Sequence, residues 1–205
     1  MDNQKRENLK KTYIRMLQQE RFVQASVDIS DEYGLYDDLG KDIDDTCGQI
    51  EIDDVDSIVD KYEGDVRWLE KNLAIIENRF AYSVKKIIDA DESQMMHLKD
   101  AFYKMGTEVA PEYEGKPVIE IYWVIRNLLL DGGKSEEFNK IVDDRYDEVV
   151  WTRTRPTTMK YWTYWDLDFH KYYTELRRAF IKGILEKTDI EFVVIEENVI
   201  SLARR

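Results

Sequence analysis

The sequence is poor in the residues that carry most recognisable chemistry. Of 205 residues, one is cysteine (Cys47), two are histidine (His97 and His170) and three are proline. A single thiol excludes an intramolecular disulfide and fits a reducing compartment. Two histidines leave few candidates for a histidine-rich metal site or for histidine-based acid–base work. No apolar run approaches the ~18 residues of a membrane-spanning helix. The longest candidate, Val118 to Leu130, is interrupted by Glu120, Arg126 and Asn127. No apolar segment follows the basic opening MDNQKRENLKK, so neither a secretory signal nor a membrane anchor is expected, and a cytoplasmic location is.

What is abundant is negative charge, and it is local. The net charge is −13, yet residues 28–60 alone hold thirteen acids against Lys41, leaving the remainder close to neutral. Whole-chain acidity argues against nucleic-acid binding, but a near-neutral remainder with basic faces does not. With 43% hydrophobic and 36% charged residues the chain is globular, and 205 residues suffice for a core without covalent staples.

Helical spacing of apolar residues recurs along most of the chain. It predicts helices over 4–27, over six turns from Val66 to Ile87, and over a segment carrying Met95, Leu98, Phe102 and Met105 behind an Asp91 cap. A further helix is expected over 118–130, buried on most sides, another from Ser135 to about Trp151, and one or two over 157–187. Asp53 or Asp54 can cap a short helix ending near Gly64. The β-branched run from Ile190 to Ile195, Glu196-Glu197-Asn198, and then Val199, Ile200 and Leu202 read as a β-hairpin. The expected fold is mainly α: a multi-helix bundle with a short C-terminal β-hairpin. Its divisions are an N-terminal helix plus acidic segment (1–64), a helical core (65–152), and a helix-turn-helix with the hairpin (153–205). The hairpin's outer strand offers a free edge at which a homodimer would form.

Motifs with catalytic or metal chemistry are weak, and no enzyme, metal or cofactor is expected. Asp42, Asp44, Thr46, Gly48, Ile50 and Asp54 imitate the order of a calcium loop only if Cys47 is an insertion, and the closing acid is Asp rather than Glu. A solvated acidic face accounts for them better. Asp166 and His170 stand one helical turn apart without a third ligand and read as an i,i+4 pair. Gly132-Gly133-Lys134-Ser135 lacks the first glycine of a phosphate loop and reads as a turn and cap. Asp143-Asp144 and Asp147-Glu148 read as a polar helix face.

Two segments point to binding. In the first, Trp162, Trp165, Phe169, Leu176 and Phe180 form an apolar stripe, and Lys160, Tyr164, Lys171, Thr174, Arg177, Arg178 and Lys182 lie opposite, with Arg153 and Arg155 upstream. An apolar back and a basic, hydrogen-bonding front suit entry into a DNA major groove. The run WDLDFHKYYTELRRAFIK, 165–182, resembles the helix-turn-helix of sigma-factor-like late-transcription regulators of phages infecting Gram-positive bacteria. Leu167 matches the hydrophobic residue of the turn, Asp168 replaces the serine cap, Tyr172-Tyr173 match the aromatic pair, and Ala179-Phe180-Ile181-Lys182 match the tail. Asp166 stands where that family has a glycine, and Trp162 where it has a small residue. The resemblance implies a non-enzymatic regulator binding double-stranded DNA. Lys171, Thr174 and Arg178 would face base edges, and Arg153, Arg155, Lys160 and Arg177 would meet phosphates. The second segment is the acidic one. It suggests instead a nucleic-acid mimic binding a basic protein partner such as a nuclease through Asp42, Asp44, Asp45, Asp53 and Asp54.

Overall fold

The computed structural model describes residues 3–113, 115–130, 139–153, 158–196 and 198–205. Their fold is mainly α with a C-terminal antiparallel hairpin, in eight α-helices and four strands among the described residues. The helices are α1 (Asn3–Tyr33), α2 (Leu39–Cys47), α3 (Val55–Tyr62), α4 (Val66–Ala90), α5 (Met95–Glu108), α6 (Val118–Leu128), α7 (Met159–Tyr164) and α8 (Glu175–Leu185). A 3₁₀ turn, Glu92–Gln94, leads into α5, and a π-helical turn, His170–Thr174, leads into α8. The strands are β1 (Asn139–Arg145), β2 (Glu148–Arg153), β3 (Ile190–Glu196) and β4 (Val199–Arg204).

Helix α1 is 31 residues, roughly 46 Å at 1.5 Å per residue. Its hydrophobic stripe packs on α4. Phe22 is the centre of an aromatic cluster: it stacks on Phe102 at 4.3 Å, meets Phe180 edge-on at 5.0 Å, and lies 5.7 Å from Phe80. Phe80 continues the cluster to Trp162 at 5.2 Å, and Trp162 meets Tyr173 at 5.5 Å. Offset and edge contacts of this kind suit the ring quadrupoles and bury large apolar area. One buried apolar cluster includes Met16 of α1 and Leu202 of β4.

Backbone contact is closest where α5 crosses α8. A Cβ built on Gly106 would fall 2.1 Å from the Phe180 carbonyl oxygen, and one on Gly183 would fall 2.0 Å from that of Tyr103. Only glycine fits at either position. Polar ties hold α2 to the bundle. Arg79 of α4, buried, bonds Glu20 through Nη2 at 2.5 Å and Nε at 2.9 Å, and through Nη1 it bonds Asp44 at 2.5 Å and the Gly48 carbonyl at 2.6 Å.

The helix expected over 135–151 is a hairpin instead from Asn139 onward. In β2, Val149 and Trp151 are buried and their neighbours less so, a period of two that a helix cannot satisfy. Asp143, Asp144, Asp147 and Glu148 therefore belong to a hairpin around Tyr146 and not to a helix face. The expected C-terminal hairpin is present and joins this one. The sheet order is β1-β2-β4-β3, all antiparallel, with Val149 opposite Leu202 and Trp151 opposite Ile200 on the buried face. Helix α6 covers that face, Tyr122 meeting Trp151 at 5.1 Å. Strand β3 is an edge, with Val193, Val194 and Ile195 exposed.

Replacing Gly106 or Gly183 with Ala drives a methyl group into a backbone carbonyl. Each is expected to cost about 3 kcal/mol, read as a lower denaturation midpoint, and a double Ala variant is expected to cost less than the sum because the helices separate once.

Candidate functional site

The basic segment folds as a helix-turn-helix in the local sense. Helix α7 ends at a turn in which Asp166 has φ of 57°, the left-handed conformation, at the position where the resembled family carries glycine. Leu167 is buried in the turn. Asp168 caps the π turn, its carboxylate accepting from the backbone N–H groups of His170 and Lys171 at 2.9 Å each, and these bonds hold its carboxyl below the usual range. Asp166 precedes the helical segment, so the expected i,i+4 pairing with His170 has no helix to support it.

The second helix is not a free front. In α8, Leu176, Arg177, Ala179, Phe180, Ile181, Gly183, Ile184 and Leu185 are all buried. Tyr172 and Tyr173, the aromatic pair, are buried as well. Arg177 is 5% exposed. Lys171 is exposed and ion-paired to Glu92, which also accepts from the Tyr172 hydroxyl at 2.9 Å; these contacts push the Lys171 ammonium above its usual range. Arg178 pairs with Glu175 at 2.9 Å. Lys160, exposed, lies over the Tyr161 ring at 4.7 Å. Arg155 and Gly132-Gly133-Lys134-Ser135 lie outside the described residues.

Some of these residues nevertheless converge. Arg153 from β2 and Thr174, Arg177 and Arg178 from the π turn and α8 line one pocket of about 290 Å³ against β3 and β4. Arg153 is placed over the Tyr173 ring, 5.7 Å from its centroid, with Nη2 3.4 Å from the hydroxyl. The π turn is set by the Thr174 N–H donating to the Phe169 carbonyl at 3.1 Å, five residues back. Sequence spacing along α8 could not reveal this pocket, because Arg153 arrives from a separate strand.

On the acidic segment, folding divides the carboxylates into two sets. One set is tied into the structure. Asp42 accepts from Lys86 and Tyr82 at 3.0 Å each, Glu51 from Lys61 at 2.6 Å and Tyr62 at 2.5 Å, Asp56 from Lys10 at 2.8 Å, and Asp60 from Arg6 at 2.6 Å. Asp44 belongs to this set through its bond to Arg79. Asp38 and Asp54 cap α2 and α3. Residues 39–47 are helix, so the first half of the order that imitates a calcium loop, Asp42 to Thr46, is helical. The other set, Asp28, Asp31, Glu32, Asp37, Asp45 and Asp53, is exposed, with no cation at ion-pair distance among the described residues.

A residue that sequence reasoning overlooks stands between Glu51 of the first set and Asp53 of the second. Ile52 is 65% exposed. The buried Tyr13 hydroxyl donates to the Glu51 carbonyl at 3.1 Å and accepts from the Asp53 N–H at 3.1 Å. The backbone is thus pinned on both sides of Ile52. Ile52 borders a groove of about 340 Å³ between α1 and α2 whose walls include Val23, Val27, Ile43 and Ile50. The available signal was a lone β-branched residue inside the acid run EIDD. No family model matches the chain, and neither a curated protein nor a solved structure matches it.

Asp42 gives a pH test of the structural set. Its folded pKa is lowered, first by the Lys86 bond. Its contribution is therefore complete above the unfolded carboxyl value of about 4 and is lost as pH falls through the folded value. Asp42→Asn is expected to lower the melting temperature at pH 7 and to leave it nearly unchanged near pH 2. An equal loss at both would show that packing, not charge, is what the substitution removes.

Proposed function

We propose that this is a non-enzymatic interaction protein that docks a basic protein partner on the surface around Ile52. The observation that carries the reading is the exposed Ile52, pinned through Tyr13 and followed by Asp53, an exposed carboxylate with no cation at ion-pair distance among the described residues. Solubility alone calls for charge on that surface; it does not call for an isoleucine held outward by two backbone hydrogen bonds. An apolar anchor at the centre and a polar rim that excludes water is the usual anatomy of a protein interface. The acidic rim would speed encounter with a basic surface and disfavour an acidic one.

The sequence also motivates a DNA-binding reading, and local features still favour it: the left-handed turn at Asp166 and the Asp168 cap. Against it stands the position of α8, which is buried around most of its circumference, whereas a recognition helix must offer one face to the groove. Lys171 and Arg178 are each engaged by a carboxylate. A duplex would have to compete for both.

Among the acids of this segment, Asp45 and Asp53 are suitable for testing, and Asp42 and Asp44 are not, because their loss disturbs the fold. The variant Asp45→Asn, Asp53→Asn, Ile52→Ser is expected to keep the wild-type melting temperature within a few degrees. Wild type immobilised in lysate of the native host is expected to retain a basic protein, with or without nuclease treatment, and the triple variant to lose it. If the variant retains the same protein, or if what is retained disappears with nuclease, the proposal fails, and in the second case the duplex reading gains.

A further inference from the structure

Strand β3 closes one end of the sheet, and the pairing of β4 fixes which of its backbone groups point outward. On one side of β4 the Arg204 N–H donates to the Asp147 carbonyl at 2.8 Å. On the other the Arg205 N–H donates to the Asp189 carbonyl at 2.8 Å. Hydrogen-bonded pairs alternate along an antiparallel ladder. Glu191, opposite Ala203, and Val193, opposite Ser201, therefore bond inward to β4. Ile190, Phe192 and Val194 aim their N–H and C=O groups away from the sheet. The Thr188 hydroxyl accepts from the Ile190 N–H at 3.2 Å. Among the described residues nothing takes up the outward groups of Phe192 and Val194.

The side chains along this edge are apolar. Val193, Val194 and Ile195 are exposed, and the strand IEFVVIE has neither the lysine nor the proline that commonly blunts an exposed edge. A bulge between Val194 and Glu196 ends regular pairing, so the usable stretch runs from Ile190 to Val194.

Charge selects the occupant. An antiparallel partner lays the end of its strand beside the start of this one. The acids at the start of β3 are neutralised within the chain: Glu191 pairs with Arg205, and Asp189 lies 3.6 Å from Arg204. Lys187, just before the strand, and Glu196, at its end, are both exposed, with no opposite charge at ion-pair distance among the described residues. Two copies of β3 paired about Phe192, with the bulge counted as one place, set Glu196 opposite Asp189 and diagonal to Lys187, within reach of a long side chain. Pairing about Val193 sets Glu196 beside Glu191 with no lysine in reach. Residues 153–205 hold ten Lys and Arg against eight Asp and Glu, so two copies meet at this strand without the repulsion that residues 28–60 would impose.

We propose that β3 pairs with β3 of a second copy about a two-fold axis at Phe192, joining the two four-stranded sheets into one. Phe192 exchanges N–H···O bonds with its symmetry mate, and each Val194 N–H donates to the Ile190 carbonyl of the other copy. Two ion pairs between Lys187 and Glu196 flank these bonds. No residue of the Ile52 surface takes part. Contact along one short strand buries less than a standard stable interface, so the dimer is weak and concentration-dependent.

Sedimentation velocity of the intact protein from about 1 µM to about 1 mM is expected to show a monomer–dimer equilibrium. Amide exchange at Phe192 and Val194 is expected to slow as the dimer forms, and exchange at Val193, already bonded to β4, to change less. Val194→Pro removes an outward donor that β4 does not use, a placement that proline tolerates on an edge strand. This variant is expected to stay folded and monomeric. Lys187→Glu is expected to weaken dimerisation about tenfold, and the double exchange Lys187→Glu, Glu196→Lys to restore it. A wild type that stays monomeric throughout overturns the proposal, and is the result expected if an extended segment of another protein is the occupant. So does dimerisation of a folded Val194→Pro variant, an unaltered dimer in Lys187→Glu, or a double exchange that restores nothing. If Val194→Pro unfolds, the charge exchange and the amide pattern decide.

Discussion

The contact of Gly106 with Gly183 decides more of this molecule than any other. Two helices whose backbones touch must have no side chain between them, and a Cβ at either glycine would collide with a carbonyl oxygen about 2 Å away. That closeness draws α8 into the centre of the bundle. It brings Phe180 onto Phe22 and the π turn up against the 3₁₀ turn before α5, where Lys171 and Tyr172 meet Glu92. It also determines which functional readings are physically open. A helix clasped on its glycine side, with Leu176, Phe180 and Ile184 also buried, has little circumference left to present to a groove in DNA.

The acidic segment shows the same dependence of function on packing. Thirteen acids look like one property when counted along the chain. In the fold they do different work. Asp44, with Glu20, satisfies the buried Arg79, whose charge would be costly to leave unpaired. Asp38 and Asp54 satisfy N–H groups that the first turns of α2 and α3 leave open. Asp42, Asp56 and Asp60 fasten this segment to α4 and to the basic start of α1. Only the remainder is at the disposal of a partner, and Ile52 stands beside one of its members, Asp53, in a loop fixed by Tyr13 and by the bonds of Glu51 to Lys61 and Tyr62.

Much of the fold is legible in the sequence wherever local signals act alone. The spacing of Val66, Leu73, Phe80 and Ile87 marks α4, and Asp54, Asp91 and Asp168 mark their caps. The 135–151 segment misleads because EFNKIVDDRYDEVVW, 137–151, has charged residues at intervals that suit either a helix or an exposed strand. Pairing with β4, some fifty residues on, settles the choice, and no local propensity encodes it. The convergence of Arg153 with Arg177 is illegible for the same reason. The burial of Arg177 is masked by its place in an otherwise basic-looking face, since spacing shows which residues share a side of a helix but not how many sides are covered.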